Sequence, residues 1–228
     1  MVKRFYKTVS TGETNAVLLD NRAIKTPKGV PFILPTRELA EAIAEEWRAQ
    51  ETDIKPETMP LTKLAHAAID GAPESARIAE QAVAYAKSDL LCYRAEGPDE
   101  LVIRQARQWA PILDWLAQTH GARLKTATGI GYIDQPSEAL EKLASRAGRL
   151  DPFALAALHT ATAITGSLAL GLAVLERRLT AAEAFVLSRL DEDYQAERWG
   201  QDAEAQARAT HLKADLEAAE RFMRLSGA

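Results

Sequence analysis

A long uncharged stretch limits what this chain can fold into more than any other feature. Between Asp151 and Glu176 the sequence carries no charged residue. A transmembrane helix needs roughly 20 mainly apolar residues, and this segment is long enough to supply them. It is therefore the one segment that could either span a membrane or form the centre of a hydrophobic core.

The composition of the stretch favours a core. Many of its apolar positions are alanine, and His159 and several threonines introduce groups that need hydrogen-bond partners. No Trp or Tyr stands at either end, where a spanning helix commonly places them. Small residues recur at Ala163, Ser167 and Gly171, a spacing that predicts one helix face open to close approach by another helix. We expect a buried helix, or a helical pair broken near Gly166.

Charge and cysteine content exclude several classes of protein. The chain has 228 residues with a formal net charge of −4 and no basic run, which argues against nucleic acid or an anionic membrane surface as its main partner. Cys92 is the single cysteine, so neither an internal disulfide nor a cysteine-based zinc cluster is expected. The first ten residues resemble neither a secretory signal nor a transit peptide, which favours the cytoplasm or, for a mature protein, the mitochondrial matrix.

The N-terminal quarter of the chain is predicted to form a small β unit followed by one helix. Short β-prone runs at 4–9, 15–19, 23–25 and 30–34 are separated by turn residues, a pattern typical of an antiparallel meander. Thr36 is placed to cap a helix whose apolar residues include Trp47. Residues 51–60 are polar and contain two prolines, so we expect a linker there.

The remainder is predicted to be mainly helical. Residues 123–133 are the exception, since their roughly alternating pattern suggests an extended segment that returns to the β unit. Thr180 and Glu183 form a capping box that opens a helix running to Arg198. The fold class is therefore α+β, with an N-terminal domain and its linker at 1–60 and a helical domain at 61–228.

No catalytic or cofactor site is evident in the sequence. His66, His120, His159 and His211 lie on separate segments without metal-ligand spacing. Gly129 and Gly131 form only a fragment of a dinucleotide-binding fingerprint. We therefore expect no catalytic residue, no metal and no cofactor, although a small soluble metabolic enzyme with a dispersed active site stays the alternative.

The helix after the capping box carries an unusual face. A carboxylate and an amide lie between two aromatic residues along one predicted stripe, made of Phe185, Glu192, Gln195 and Trp199. A carboxylate between two aromatic residues is an unusual use of an exposed helix face. The alternative is that the two aromatics cover the core while Glu192 pairs with Arg189 or Arg198.

Several motifs in order resemble one protein family. They are RFYKTV, LDNRAIKTPKG, LPTRELAEAIAEEW, MPLTKLAHAAID, KSDLLCYRAEGPDEL, QWAPILDW and LDEDYQAERWG, and together they extend over nearly the whole chain. The family is that of the assembly chaperones for the α subunit of F-type ATP synthase. The absence of a transit peptide makes this chain similar to the bacterial members.

The resemblance implies a binding protein without enzymatic activity. Members bind the unassembled α subunit and prevent its aggregation, without ATP, until it pairs with the β subunit. The positions that match the family motif are Asp191, Glu192, Asp193, Trp199 and Gly200, which become candidate contacts with the bound subunit. Phe185 and Gln195 join them from the stripe, and neither nucleic acid nor stable membrane insertion is implied.

Overall fold

The computed structural model describes residues 2–129, 131–200 and 202–228. It has the predicted α+β architecture, with small sheets near the N-terminus and helices through most of the rest. The strands are β1 (Val2–Lys3), β2 (Val9–Thr11), β3 (Val17–Leu19), β4 (Arg22–Ala23), β5 (Asp53–Ile54), β6 (Tyr93–Arg94) and β7 (Ala127–Thr128). The helices are α1 (Arg37–Arg48), α2 (Pro60–Gly71), α3 (Ser75–Ala84), α4 (Asp99–His120), α5 (Ser137–Ala147), α6 (Pro152–Thr165), α7 (Leu168–Leu175), α8 (Ala181–Ser188), α9 (Leu190–Trp199) and α10 (Ala203–Ser226).

The N-terminal unit contains an antiparallel meander in the order β2-β3-β4. Asp20 and Asn21 form the tight β3–β4 turn, and both have positive φ, a conformation that these two residue types tolerate better than most. The predicted first strand at 4–9 is wrong, because only Val9 of that run lies in a strand. Tyr6 instead turns inward, where its hydroxyl donates to the Trp47 carbonyl oxygen at 2.7 Å.

The segment predicted as a linker is partly built into the fold. β5 lies within it and pairs antiparallel with β1, with Val2 opposite Ile54. The Glu46 carboxylate of α1 then accepts hydrogen bonds from the backbone N–H groups of Leu61 and Thr62, both at 2.8 Å. Helix α1 therefore caps the first turn of α2 across the expected boundary.

The hydrophobic core continues across the same boundary. One cluster of buried side chains extends from Val17 in β3 to Met223 in α10. Thr36 caps α1 at Leu39 N–H, as predicted, and its hydroxyl also donates to the Leu225 carbonyl oxygen. The division into domains at residue 60 stays a prediction, and packing ties the two predicted parts together.

The uncharged stretch forms the expected helical pair. Asp151 caps α6, which ends at Gly166 with φ 66°, and Ser167 caps α7. Every residue of α7 is buried. Within the described residues, no helix combines the length and apolar character needed to cross a membrane.

The predicted small-residue face is wrong in its geometry. Ala163 is exposed and Ser167 lies between the two helices, so these residues do not share one face with Gly171. Gly171 alone permits the close approach of α6 and α7. A Cβ atom there would lie 2.5 Å from Thr162 Oγ1 and 3.2 Å from Leu158 Cδ1, closer than packing allows.

A buried carboxylate connects α7 to the segment after α3. Asp89 is fully buried, and its oxygens accept hydrogen bonds from the N–H groups of Leu91 and Ala169, both at 3.1 Å. Burial raises the pKa of Asp89, and the hydrogen bonds from the Ser167 hydroxyl and the backbone oppose this increase. Asp89 therefore serves as a second cap for the most buried helix.

Residues 123–133 do not return to the N-terminal unit. β7 pairs in parallel with β6, placing Tyr93 opposite Ala127 and Arg94 opposite Thr128. Ile130, part of the predicted extended segment, lies outside the described residues. The prediction of a strand in this region is confirmed, whereas its predicted partner was wrong.

Candidate protein-binding surface

The predicted helix from the capping box to Arg198 is two helices. Thr180 and Glu183 form the expected capping box and begin α8. Arg189 separates α8 from α9 with non-helical backbone angles of −110° and 13°. Because of this break, Phe185 does not continue the face formed by the later residues. Its side chain is 9% exposed and belongs to the core, with the Arg189 guanidinium 5.9 Å from its ring centroid.

Loss of the capping box should destabilise the chain modestly. Thr180→Ala removes the hydrogen bond from Glu183 N–H to Thr180 Oγ1, and we expect the free energy of unfolding to fall by about 1 kcal/mol. Urea denaturation measures the change. Thr210→Ala is the matched control, because Thr210 is exposed in the interior of α10, where the same substitution should stabilise the chain slightly, by about 0.5 kcal/mol. Equal stability of the two variants would contradict this role of the cap.

Helix α9 and the last turn of α8, which carries Leu187, are fixed to α4 by partly buried polar contacts. Trp109 Nε1 donates to the Leu187 carbonyl oxygen at 2.9 Å, and Gln105 Nε2 donates to Asp191 Oδ1 at 2.7 Å. Trp109 and Gln105 are fully buried, and Tyr194 contributes its ring to the core. The Asp191 carboxylate is half-buried and engaged with its own protein, so its first effect is to position α9.

Arg94 holds Gln105 in position for its contact with Asp191. Its Nη1 donates to the Gln105 carbonyl oxygen at 2.7 Å, and its guanidinium lies 5.0 Å from the Trp109 ring centroid. The Gln105 side-chain oxygen accepts from Ala95 N–H at 2.8 Å. Burial lowers the pKa of Arg94, while the nearby Cys92 and Asp191 raise it. The base of α9 is thus a hydrogen-bonded network rather than a loose packing contact.

The outer face of α9 is open. Glu192, Gln195 and Trp199 are exposed at spacings of three and four residues, which places them on one side of the helix. Trp199 is 78% exposed, the largest fraction among the exposed large hydrophobic side chains of the described residues. Gly200 follows it with φ 93° and ends the helix. Tryptophan is a residue type enriched at protein–protein interfaces, which makes this exposed side chain a candidate contact.

Charged residues surround this face. Arg104 forms ion pairs with Glu100 and Glu197, both at 2.8 Å, and Arg198 pairs with the same Glu100. Hydrogen bonds from Arg198 and Arg104 lower the pKa of Glu100, and hydrogen bonds from Glu197 and Glu100 raise the pKa of Arg104. A tryptophan bordered by charged side chains is compatible with a protein–protein interface, where aromatic residues are enriched and the rim is polar.

The observed ion pairs bear on the alternative in which Glu192 pairs with Arg189 or Arg198. Arg198 is engaged by Glu100, and Arg189 pairs with Asp193 at 3.5 Å. Among the described residues, Glu192 has no ion-pair partner within 4.0 Å. Four of the seven predicted site residues are exposed on the outer face of α9 or at its end: Glu192, Gln195, Trp199 and Gly200. Asp193 lies at the edge of this face, and Asp191 lies where α9 contacts α4. Phe185 is buried in the core.

The sequence did not single out Gln105 or Arg94. Gln105 occupies an apolar position in line with Leu101 and Trp109, and a polar residue on a buried face usually needs a specific partner. A polar residue in line with apolar ones on the same helix face was therefore the sequence feature that could have identified Gln105. In the parts of the chain that are described, no three His, Cys, Asp or Glu side chains are grouped to hold a metal ion.

Known proteins resemble this chain over nearly its full length. The model of a family described as ATP12 chaperone protein matches residues 3–117. The crystal structure of Atp12 from Paracoccus denitrificans is 44% identical, covers 99% of this chain and 98% of its own, and superposes with a TM-score of 0.93. A structure from Agrobacterium tumefaciens is 42% identical over 97% of this chain and 85% of its own, with a TM-score of 0.90. The mitochondrial Atp12 protein of Schizosaccharomyces pombe is 28% identical over 214 residues, which are 87% of this chain and 74% of that one.

Proposed function

Because the chain belongs to the family of ATP12 chaperone proteins, we propose that it acts in the assembly of F-type ATP synthase by binding the unassembled α subunit. Bound in this way, the α subunit cannot aggregate before it pairs with the β subunit. The observation that carries the proposal is Trp199, which is 78% exposed at the end of a helix that is firmly attached to the core. We place the protein in the bacterial cytoplasm, as the counterpart of relatives in the mitochondrial matrix.

The outer face of α9 is the proposed contact with the α subunit. Tryptophan is enriched among interface residues that dominate binding energy, because it buries a large area with little loss of side-chain entropy. Glu192 and Gln195 would provide polar contacts next to it, and Gly200 leaves room for the partner. Asp191, Asp193 and Phe185 act through α9, by fixing its position and its start.

The proposed mechanism is binding without hydrolysis of a nucleotide. A chaperone that binds the aggregation-prone surface lowers the concentration of free α subunit. By mass action, the equilibrium between free and aggregated α subunit then shifts away from the aggregate. The β subunit would release the chaperone by competing for the surface that it covers. The division at residue 60 then separates a β-containing part from the helical part that carries α9.

The direct test uses purified ATP synthase α subunit. At equimolar chaperone and without ATP, light scattering from the α subunit diluted out of denaturant should fall to near the baseline. An unrelated protein at the same concentration is the control, and β subunit added later should displace the chaperone into free solution. Unchanged precipitation of the α subunit at stoichiometric chaperone would overturn the proposal.

A further inference from the structure

A second apolar surface lies in the N-terminal unit. A groove of about 960 Å³ is formed by β1, β4, β5 and the residues next to them, and Trp47 of α1 forms part of its wall. Tyr6, Leu19 and Ile24 also line the groove, and Phe5 stands at it with 68% of its surface exposed. No residue of α8 or α9 lines this groove, so it is separate from the face that carries Trp199.

One edge of the meander borders the groove and has free backbone groups. Ile24 N–H bonds to the Val17 carbonyl oxygen at 3.1 Å, so by the alternation of an antiparallel pair the N–H and C=O of Ala23 point away from β3. Lys25 lies opposite Pro31 in a second antiparallel pair, in which Phe32 N–H donates to the Ile24 carbonyl oxygen and Thr26 N–H donates to the Val30 carbonyl oxygen. The N–H and C=O groups of Lys25 therefore point away from Pro31, as those of Ala23 point away from β3.

Ala23 and Lys25 both line the groove and stand two residues apart, which is the repeat of hydrogen-bonding positions along a strand edge. An extended peptide can pair with such an edge, and its alternate side chains then enter a neighbouring apolar groove. We propose that the groove binds an extended segment of the α subunit, which adds a strand beside Ala23 and Lys25 and places an apolar side chain against Phe5. This inference rests on the proposed function and adds a second contact to it.

The charges of the groove specify the segment further. Arg22 and Lys25 are exposed at the edge, and neither forms an ion pair with a described residue. Asp20, the third charged lining residue, is turned toward the backbone, where its Oδ1 accepts from Lys7 N–H at 3.0 Å and Thr8 N–H at 2.8 Å. Two free cations therefore favour an apolar segment with acidic residues next to it.

The first test changes the groove and measures the dissociation constant of purified α subunit. Phe5→Glu and the double variant Arg22→Glu, Lys25→Glu should each bind about tenfold more weakly than wild type, and the charge variant should lose much of its salt dependence. Tyr132→Glu is the matched control, because Tyr132 is 69% exposed and does not line the groove. Melting temperatures should be equal in all four proteins, since the changed side chains are exposed.

A second test addresses the strand edge. Ala23→Pro removes the outward N–H without removing a bond to β3, whereas Ala23→Val keeps it, so only the proline variant should lose affinity. A photoreactive phenylalanine derivative at position 5 should crosslink to an extended, apolar segment of the α subunit that has acidic residues next to it. Crosslinks to a second copy of the chaperone, or groove variants that are folded and bind within twofold of wild type, would overturn the inference. Failure of wild-type chaperone to bind the α subunit would instead overturn the proposed function.

Discussion

Replacing Trp199 by alanine is expected to weaken binding of the α subunit about 30-fold and to leave the melting temperature nearly unchanged. A central interface tryptophan commonly contributes about 2 kcal/mol, which corresponds to that factor. The side chain is 78% exposed, so its removal takes little from the folded state of the free chaperone. Titration calorimetry gives the affinity, and circular dichroism and thermal unfolding give the helical content and stability.

Two further variants separate a specific contact from a general effect. Glu192→Gln keeps the shape of the side chain and removes its charge, so a reduction of several-fold is expected if the charge faces the α subunit. Tyr132→Ala removes an aromatic side chain of similar exposure from another part of the surface and should have no effect. A loss of folding in Trp199→Ala would place that residue in the core, and unchanged affinity would exclude it from the interface.

Features set by neighbouring residues could be predicted from the sequence. The capping box needs only Thr180 and Glu183, and the break between α6 and α7 needs only Gly166 with its left-handed conformation. The apolar stretch could be assigned to a core because its threonines and histidine are unsuited to lipid. Thr165, for example, is buried inside the fold, where its hydroxyl donates to the Ala161 carbonyl oxygen at 2.8 Å.

Features set by distant residues could not be predicted in the same way. β1 pairs with β5 and β6 pairs with β7. Each pairing is made of backbone hydrogen bonds, which do not depend on the residue types of the two strands. The interruption at Arg189 has neither glycine nor proline to mark it. It is accompanied by the bond from Trp109 to Leu187, a contact between residues far apart in sequence.

The site shows the same limit. Motif resemblance pointed to the segment of α9 as a whole, and it could not separate Asp191, which accepts from Gln105, from the exposed Glu192 beside it. Two carboxylates that are neighbours in the sequence of a helix point in different directions. Only the packed structure shows which of them forms a hydrogen bond within the chain. The predicted contacts therefore divide into residues that can meet a partner and residues that hold α9 in place.

Asp89→Ala is expected to cause the largest loss of stability of the substitutions considered. The Asp89 carboxylate is fully buried and accepts from Leu91 and Ala169 N–H groups, and Leu90 N–H bonds to the Gly166 carbonyl oxygen beside it. Alanine would leave the first two donors buried without partners, at about 1–3 kcal/mol each, and would open space in the core. The free energy of unfolding should therefore fall by about 3–5 kcal/mol.

Thermal and urea unfolding test this expectation together. A loss of that size should lower the melting temperature by about 10 °C in a chain of this length. Asp89→Asn keeps one acceptor oxygen and should fall between wild type and Asp89→Ala, because its amide nitrogen cannot accept the second N–H. Asp215→Ala, an exposed position on α10, should change the melting temperature little. If Asp89→Ala and Asp215→Ala are equally stable, Asp89 does not act as the second cap of α7, and the attachment of that helix must rest on Ser167 and apolar packing alone.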